Sequence, residues 1–282
     1  PTWDAKDLAA CQREVITISM RAFLVECQQE VELAGNPRFN IMAIREQQQG
    51  VREPLPPAAL PEAWGALRYT KGLRVWELPI PGEPYVAYAD CAEGVGRDYT
   101  DTGIGRARAG GSEVVDLEDN GRNPGDHAAI AVQLFRLYNN PLVGYERAKA
   151  DNYVYVLGRE GYTRIYEHPR EQTSIQRLAG NEPSKLRGYP MNAATKKGLI
   201  DEFAIAIETY AFRSPNARLW EQAINYIVTA DNKTEARAGY HDDQVYKAAG
   251  LVRMARQPGA QSMMIPESFR GPAPKVVYGG GR

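Results

Sequence analysis

Acidic residues placed at the ends of apolar runs are the groups in this sequence best suited to chemistry. In YVAYADCAEGVGRDYTDT (85–102), Tyr85, Ala87 and Ala89 alternate with Val86, Tyr88 and Asp90, the pattern of a strand whose last residue is a carboxylate. A glycine-containing turn follows, and Glu93, Asp98 and Asp101 lie just behind. One Asp in a turn is ordinary. Several acids this close repel one another unless a cation or a basic group lies among them. LVGYERAKADN (142–152) repeats the arrangement: a short apolar strand ends at Glu146 and a helix follows. The carboxyl ends of strands are where open α/β sheets gather functional groups. In AGYHDDQVYKAAGLVRMA (238–255), Asp242 and Asp243 stand at the start of an amphipathic helix, after His241. Residues adjacent on a helix point about 100° apart. The expectation is therefore that Asp243 turns toward a shared cation while Asp242 caps the helix N-terminus. An all-oxygen set of this kind suits Mg²⁺ or Mn²⁺ rather than zinc. Two such ions would clamp the attacking and leaving oxygens of a phosphodiester displacement.

The elements that must position these acids form a mixed α/β pattern. Strands are expected at 84–90, near 102–108, at 112–119, 142–146 and 163–167, and helices at 126–138, from 146 to about 158, at 195–211 and at 242–256. Residues 168–190 hold few apolar side chains and read as a loop or extended hairpin. Ahead of this pattern, Leu8, Val15, Ile18, Phe23 and Val31 recur at helical steps within 3–33. The proline-rich EPLPPAALPEAWG (53–65) reads as a linker. The expected organisation is an N-terminal helix and linker over 1–66, a catalytic domain over 67–258 and a loose tail over 259–282. A chain opening on Pro1 in helix-like sequence reads as a piece of something longer.

Composition narrows the function classes. The 282 residues carry a net charge of −1, which points to neither nucleic acid nor membrane, although a local basic face can hide in a neutral total. Such a face is legible between 147 and 197, where ten cations stand against five acids. Arg147, Lys149, Lys185, Arg187, Lys196 and Lys197 are candidates for tracking phosphates. Cys11, Cys27 and Cys91 are odd in number and widely spaced, unlike a disulfide framework or a zinc site. No Gly-x-x-x-x-Gly-Lys-Ser/Thr loop is present, and GVG (94–96) lacks the third glycine of a dinucleotide fingerprint.

The motifs YADCAEGVGRDYT, VGYER, GYPMNAATKKGLID and GYHDDQVYKAAG, in this order, resemble the C-terminal nuclease domain of the large terminase subunit of tailed bacteriophages. The resemblance covers roughly residues 68–258. It implies a ribonuclease H-like fold, with a central mixed sheet flanked by helices. It also implies a metal-dependent endonuclease using Mg²⁺ or Mn²⁺, two ions in all, to cut concatemeric viral DNA at the start and end of packaging. By resemblance the metal-binding acids fall on Asp90, Glu146 and Asp243, with Asp242 close by, and Asp98 and Glu93 in support. After the second acid the family often has Asn residues and a glycine, where this chain reads ERAKADN. The resemblance further implies double-stranded viral DNA, portal protein and small terminase subunit as partners. An ATPase domain would precede residue 1, and the place of work would be the procapsid portal in the host cytoplasm. Two other readings remain: another ribonuclease H-like enzyme, such as a resolvase or transposase, and a non-catalytic docking module for portal or small terminase.

Overall fold

The computed structural model describes residue 10 and residues 36–91, 99–169, 185–229, 231 and 233–261. The expected helix over 3–33 lies outside these apart from residue 10, as do most of the expected tail and the middle of 168–190. The strands are β1 (Leu73–Val75), β2 (Tyr85–Asp90), β3 (Thr100–Arg106), β4 (Ser112–Asp119) and β5 (Leu142–Tyr145). Two short pairs follow, β6 (Glu167–Pro169) with β7 (Lys185–Arg187), and β8 (Tyr226–Val228) with β9 (Thr234–Ala236). The helices are α1 (Ile41–Gln48), α2 (Pro124–Leu137), α3 (Asp151–Arg159), α4 (Ala193–Glu208), α5 (Ala217–Ile224) and α6 (Asp243–Ala255).

β1 to β5 form one sheet in the order β1-β4-β3-β2-β5. β2, β3 and β4 make an antiparallel meander. The chain then passes through α2 to the far side of β2, where β5 runs parallel to it. A parallel pair requires such a crossover. All six residues of β2 are buried, and their alternation divides them between two cores. Val86 and Tyr88 face one core with α1, α4, α5 and α6, while Tyr85, Ala87 and Ala89 face the other with α2 and α3. Helices thus cover both faces, and β2 has no solvent side.

α6 is buried almost all round, because it lies between the sheet and α4. Its small residues allow the close approach: a Cβ added at Gly250 would come 2.1 Å from Cγ of Tyr88. α4 begins at Ala193, ahead of the expected 195. Asn192 accepts from the backbone N–H groups of Ala194 and Thr195, and Thr195 Oγ1 accepts from the N–H of Asn192.

Two expectations change. The stretch 53–65 is no free linker: Leu60, Trp64 and Leu67 are buried in the core beneath α2, and Phe39, Ile41 and Ile44 are buried in the other. The prolines there start short 3-10 turns, and apolar side chains between them supply the packing. TRIYE (163–167) is not a full strand; Ile165 makes a single parallel bridge to Val143 at the sheet edge, and the following pairing starts at Glu167. The expected extended hairpin is present as β6 and β7, which pair antiparallel. Among the described residues no helix is long and apolar enough to cross a membrane.

Candidate active site

Two of the predicted acids meet because of strand register. β2 and β5 are parallel with Ala89 opposite Tyr145, and the Glu146 N–H donates to Ala89 O at 3.0 Å. The next residues along, Asp90 and Glu146, therefore emerge side by side at the carboxyl ends of neighbouring strands. α6 crosses the same face of the sheet and brings its N-terminus over them. The result is a cavity of about 240 Å³ lined by Asp90, Glu146, Asp242 and Asp243, with Cys91, Tyr99, Lys149, Met191, Lys196 and Tyr246.

The cavity crowds negative charge. Burial pushes the Asp90 carboxyl well above its usual range. Glu146 adds to the shift through its charge and a shared hydrogen bond, and Asp243 and Asp242 add more. Burial likewise raises the Cys91 thiol, helped by Asp90 and Glu146, which leaves it a poor nucleophile. His241 Nδ1 stands 3.8 Å from Asp243 Oδ2, and its ring meets Tyr99 edge-on. The Lys196 ammonium sits 4.6 Å from the centre of the Tyr246 ring, at the cavity wall.

The donor set fits a hard divalent cation in its chemistry: four carboxylates, the innermost raised by burial and by its acidic neighbours. Among the described residues no group of three or more Asp, Glu, His or Cys side chains stands close enough together to hold a metal ion as the side chains are placed.

Asp90, Glu146, Asp242 and Asp243 are brought together as expected, with one correction. Asp242 occupies the helix-cap position, yet its side chain makes no capping hydrogen bond; it lines the cavity alongside Asp243. Glu93 and Asp98 lie outside the described residues. Asp101 leaves the cluster. It sits in β3 directly across from Asp90 but is fully buried against Lys247, 3.4 Å away. Of the basic candidates, Lys149 and Lys196 line the cavity. Lys197 is mostly exposed and pairs with Asp201 at 2.5 Å. Arg147, Lys185 and Arg187 are exposed around the same end of the sheet. Tyr99, Met191 and Tyr246 were not foreseen. Tyr246 lies one helical turn after Asp242 and Asp243, the spacing that could have pointed to it.

The sheet order, the parallel β2–β5 pair inside an otherwise antiparallel sheet and the helices on both faces define a ribonuclease H-like α/β fold. Within that class the chain is similar to the large terminase nuclease from thermophilic phage G20c. The structure of that protein with bound magnesium has a TM-score of 0.55 and 17% identity, over 78% of this chain and 98% of that one. The cobalt-bound structure gives 0.53 and 17% over the same shares. A further structure of the same nuclease gives 0.50 and 18%, over 73% of this chain and 95% of that one. The likeness carried by the sequence motifs is thus matched in three dimensions, and at these identities it establishes the fold. No protein-family model matches the sequence, and no curated protein does.

Proposed function

We propose that this chain is the nuclease part of a large terminase: a metal-dependent endonuclease that cuts concatemeric viral DNA when genome packaging begins and ends. The observation that carries the reading is the meeting of Asp90, Glu146, Asp242 and Asp243, from three elements distant in sequence, in one cavity at the carboxyl ends of β2 and β5. The likeness to a nuclease solved with bound magnesium supports it.

Asp90, Glu146 and Asp243 would hold Mg²⁺ or Mn²⁺, as a pair of ions, with Asp242 in support. When bound, divalent cations polarise water and phosphate for hydrolysis and stabilise the developing charge. The chain's own contribution is to orient. The paired strands fix Asp90 against Glu146, and these two carboxylates would hold the cation from the sheet side. Lys149 and Lys196 place positive charge at the wall, where a phosphate would rest. Arg147, Lys185, Arg187 and Lys197 would follow the DNA backbone outward without reading bases. Glu93 and Asp98 retain their proposed supporting roles. An ATPase domain before residue 1, contacts with portal and small terminase, and work at the procapsid portal in the host cytoplasm belong to the same proposal. So does the division into a junction, a nuclease unit and a tail, with residues 36–66 packed on the nuclease unit.

The test is nicking of supercoiled plasmid with Mg²⁺ or Mn²⁺ by the wild type and by Asp90→Asn. Cutting by the wild type alone is expected. Equal cutting by both removes Asp90 from the site, and no cutting by either refutes the reading.

A further inference from the structure

Beneath the carboxylate cavity lies a second polar centre that the chemistry above does not use. Lys247 is fully buried in α6. Its Nζ lies 2.6 Å from Glu113 Oε1, 2.7 Å from Asp116 Oδ1 and 3.4 Å from Asp101 Oδ2, and it donates to Gln244 Oε1 at 2.5 Å. Arg74 Nη1 closes the far side of Asp116 at 2.5 Å, and Ser214 donates to Glu113. The lysine stem reaches this centre by crossing a bare stretch of β3, where a Cβ at Gly103 would come 2.8 Å from its Cδ. The ammonium holds the Asp116 carboxyl low against the opposing effect of burial, while Asp101, buried and beside Asp116, is raised.

Stability alone is a weak reason for such a centre. Desolvating an ammonium and three carboxylates costs about as much as their attraction returns, and apolar side chains of similar volume commonly do as well or better. What apolar packing lacks is direction. The surface that α6 presents to β2 is largely Ala, Gly, Leu and Val, over which a helix can slide or turn. A slip of one residue rotates a side chain by about 100°. Lys247 stands one turn after Asp243 on α6, and Asp101 stands directly across the strand pair from Asp90. The ion centre therefore ties α6, which delivers Asp243, to β3 and β4, with β3 paired directly to the β2 that delivers Asp90.

We propose that Lys247 is a positioning residue for the cation site. Clamped by Asp101, Glu113 and Asp116, it fixes the rotation and height of α6 so that Asp243 faces Asp90 and Glu146. The inference rests on the nuclease reading, and the experiment separates the two. Manganese affinity is measured by titration calorimetry, plasmid nicking gives activity, and duplex binding in EDTA gives DNA affinity. Each is read on the wild type, on Lys247→Met combined with Asp101→Asn, Glu113→Gln and Asp116→Asn, and on Lys247→Arg. The combined variant removes the centre without stranding charge, so it should fold. Lys247→Arg keeps the charge but is too wide for the passage over Gly103, and it decides the matter if the combined variant does not fold. Both should lose manganese affinity about tenfold or more, as outer partners of metal ligands do, and lose turnover with it, while DNA affinity stays unchanged. A folded variant that binds manganese within about twofold of the wild type overturns the proposal; this threshold sits below the tenfold loss that outer-partner changes bring. A wild type that neither binds manganese nor nicks plasmid overturns the nuclease reading instead.

Discussion

His127 should make the stability of this protein fall in mild acid by an amount that the structure sets. The ring is fully buried in α2, with Nε2 2.9 Å from Thr102 Oγ1. Burial is the main cause that pulls its pKa down to about 4, with Arg122 assisting. In the unfolded chain the ring takes a proton near pH 6.5. Between these values the unfolded state binds a proton that the folded state refuses. The stabilisation is complete above pH 6.5 and is lost as the pH falls toward 4. At pH 4.5 the loss is about 2.5 kcal/mol, which for a chain of this size is roughly 5–10 °C in melting temperature. His127→Gln can still bond Thr102 but cannot titrate. The assay is urea unfolding of both proteins in EDTA at pH 7 and pH 4.5. Asp90, Asp101 and Glu113, all raised by burial, gain stability on acidification, but they do so in both proteins and cancel in the difference. The gap between wild type and variant should shift by about 2.5 kcal/mol in favour of the variant at the lower pH. A gap that stays constant would show that His127 is not held neutral, and the reasoning from its burial would fail.

Asp90→Asn should abolish nicking and raise the melting temperature of the metal-free protein. The raised Asp90 carboxyl stabilises the fold only while protonated, so the gain should be present at pH 8 and vanish in acid; a variant less stable at pH 8 would contradict this. Asp243→Asn should also abolish nicking, whereas Asp242→Asn should reduce it only in part and, lacking a cap bond to lose, leave the melting temperature within about 2 °C; the reverse pattern in plasmid cleavage would exchange their roles. Lys196→Ala should lower the salt slope of DNA binding by roughly one unit, and Lys197→Ala, already paired with Asp201, by less; equal slopes by fluorescence anisotropy would put both on a solvated face. Gly250→Ala should destabilise by about 1–3 kcal/mol in chemical unfolding, since the added methyl meets the Tyr88 ring, and an unchanged midpoint would mean that α6 rides higher than described.

The candidate site was legible because Asp90 and Glu146 each end an apolar run and Asp242 and Asp243 open a helix. The strand expected at 84–90 is observed at Tyr85–Asp90, and Ser112–Asp119 falls where expected. β3 begins at Thr100 rather than 102, because its pairing with β4 extends toward Asp119 beyond the apolar pattern. Composition misled at 53–65, where prolines signal a linker and burial of Leu60 and Trp64 is decided by the distant α2. Lys247 was not singled out in the sequence, because a lysine in an amphipathic helix ordinarily faces solvent. Only the fold shows that Glu113 and Asp116, well over a hundred residues earlier in the chain, wait for it. The pairing of Glu146 with Asp90 is a matter of parallel register, which no local pattern records.

The burial of α6 has a consequence in time. Residues 243–255 come late among the described residues, yet they form the surface on which α4 and α5 pack. Asp90 leaves the ribosome 153 residues before Asp243, a delay of about 10–30 s at ordinary rates of bacterial synthesis. Until then the acids of β2 and β5 wait without their third element. The site closes by contacts of long range in sequence, the kind that forms late in folding. A chain without α6 has the strands but not the cavity, since Asp242, Asp243 and Tyr246 belong to that helix and its cap. Under the proposed function, competence to cut comes only once α6 is in place.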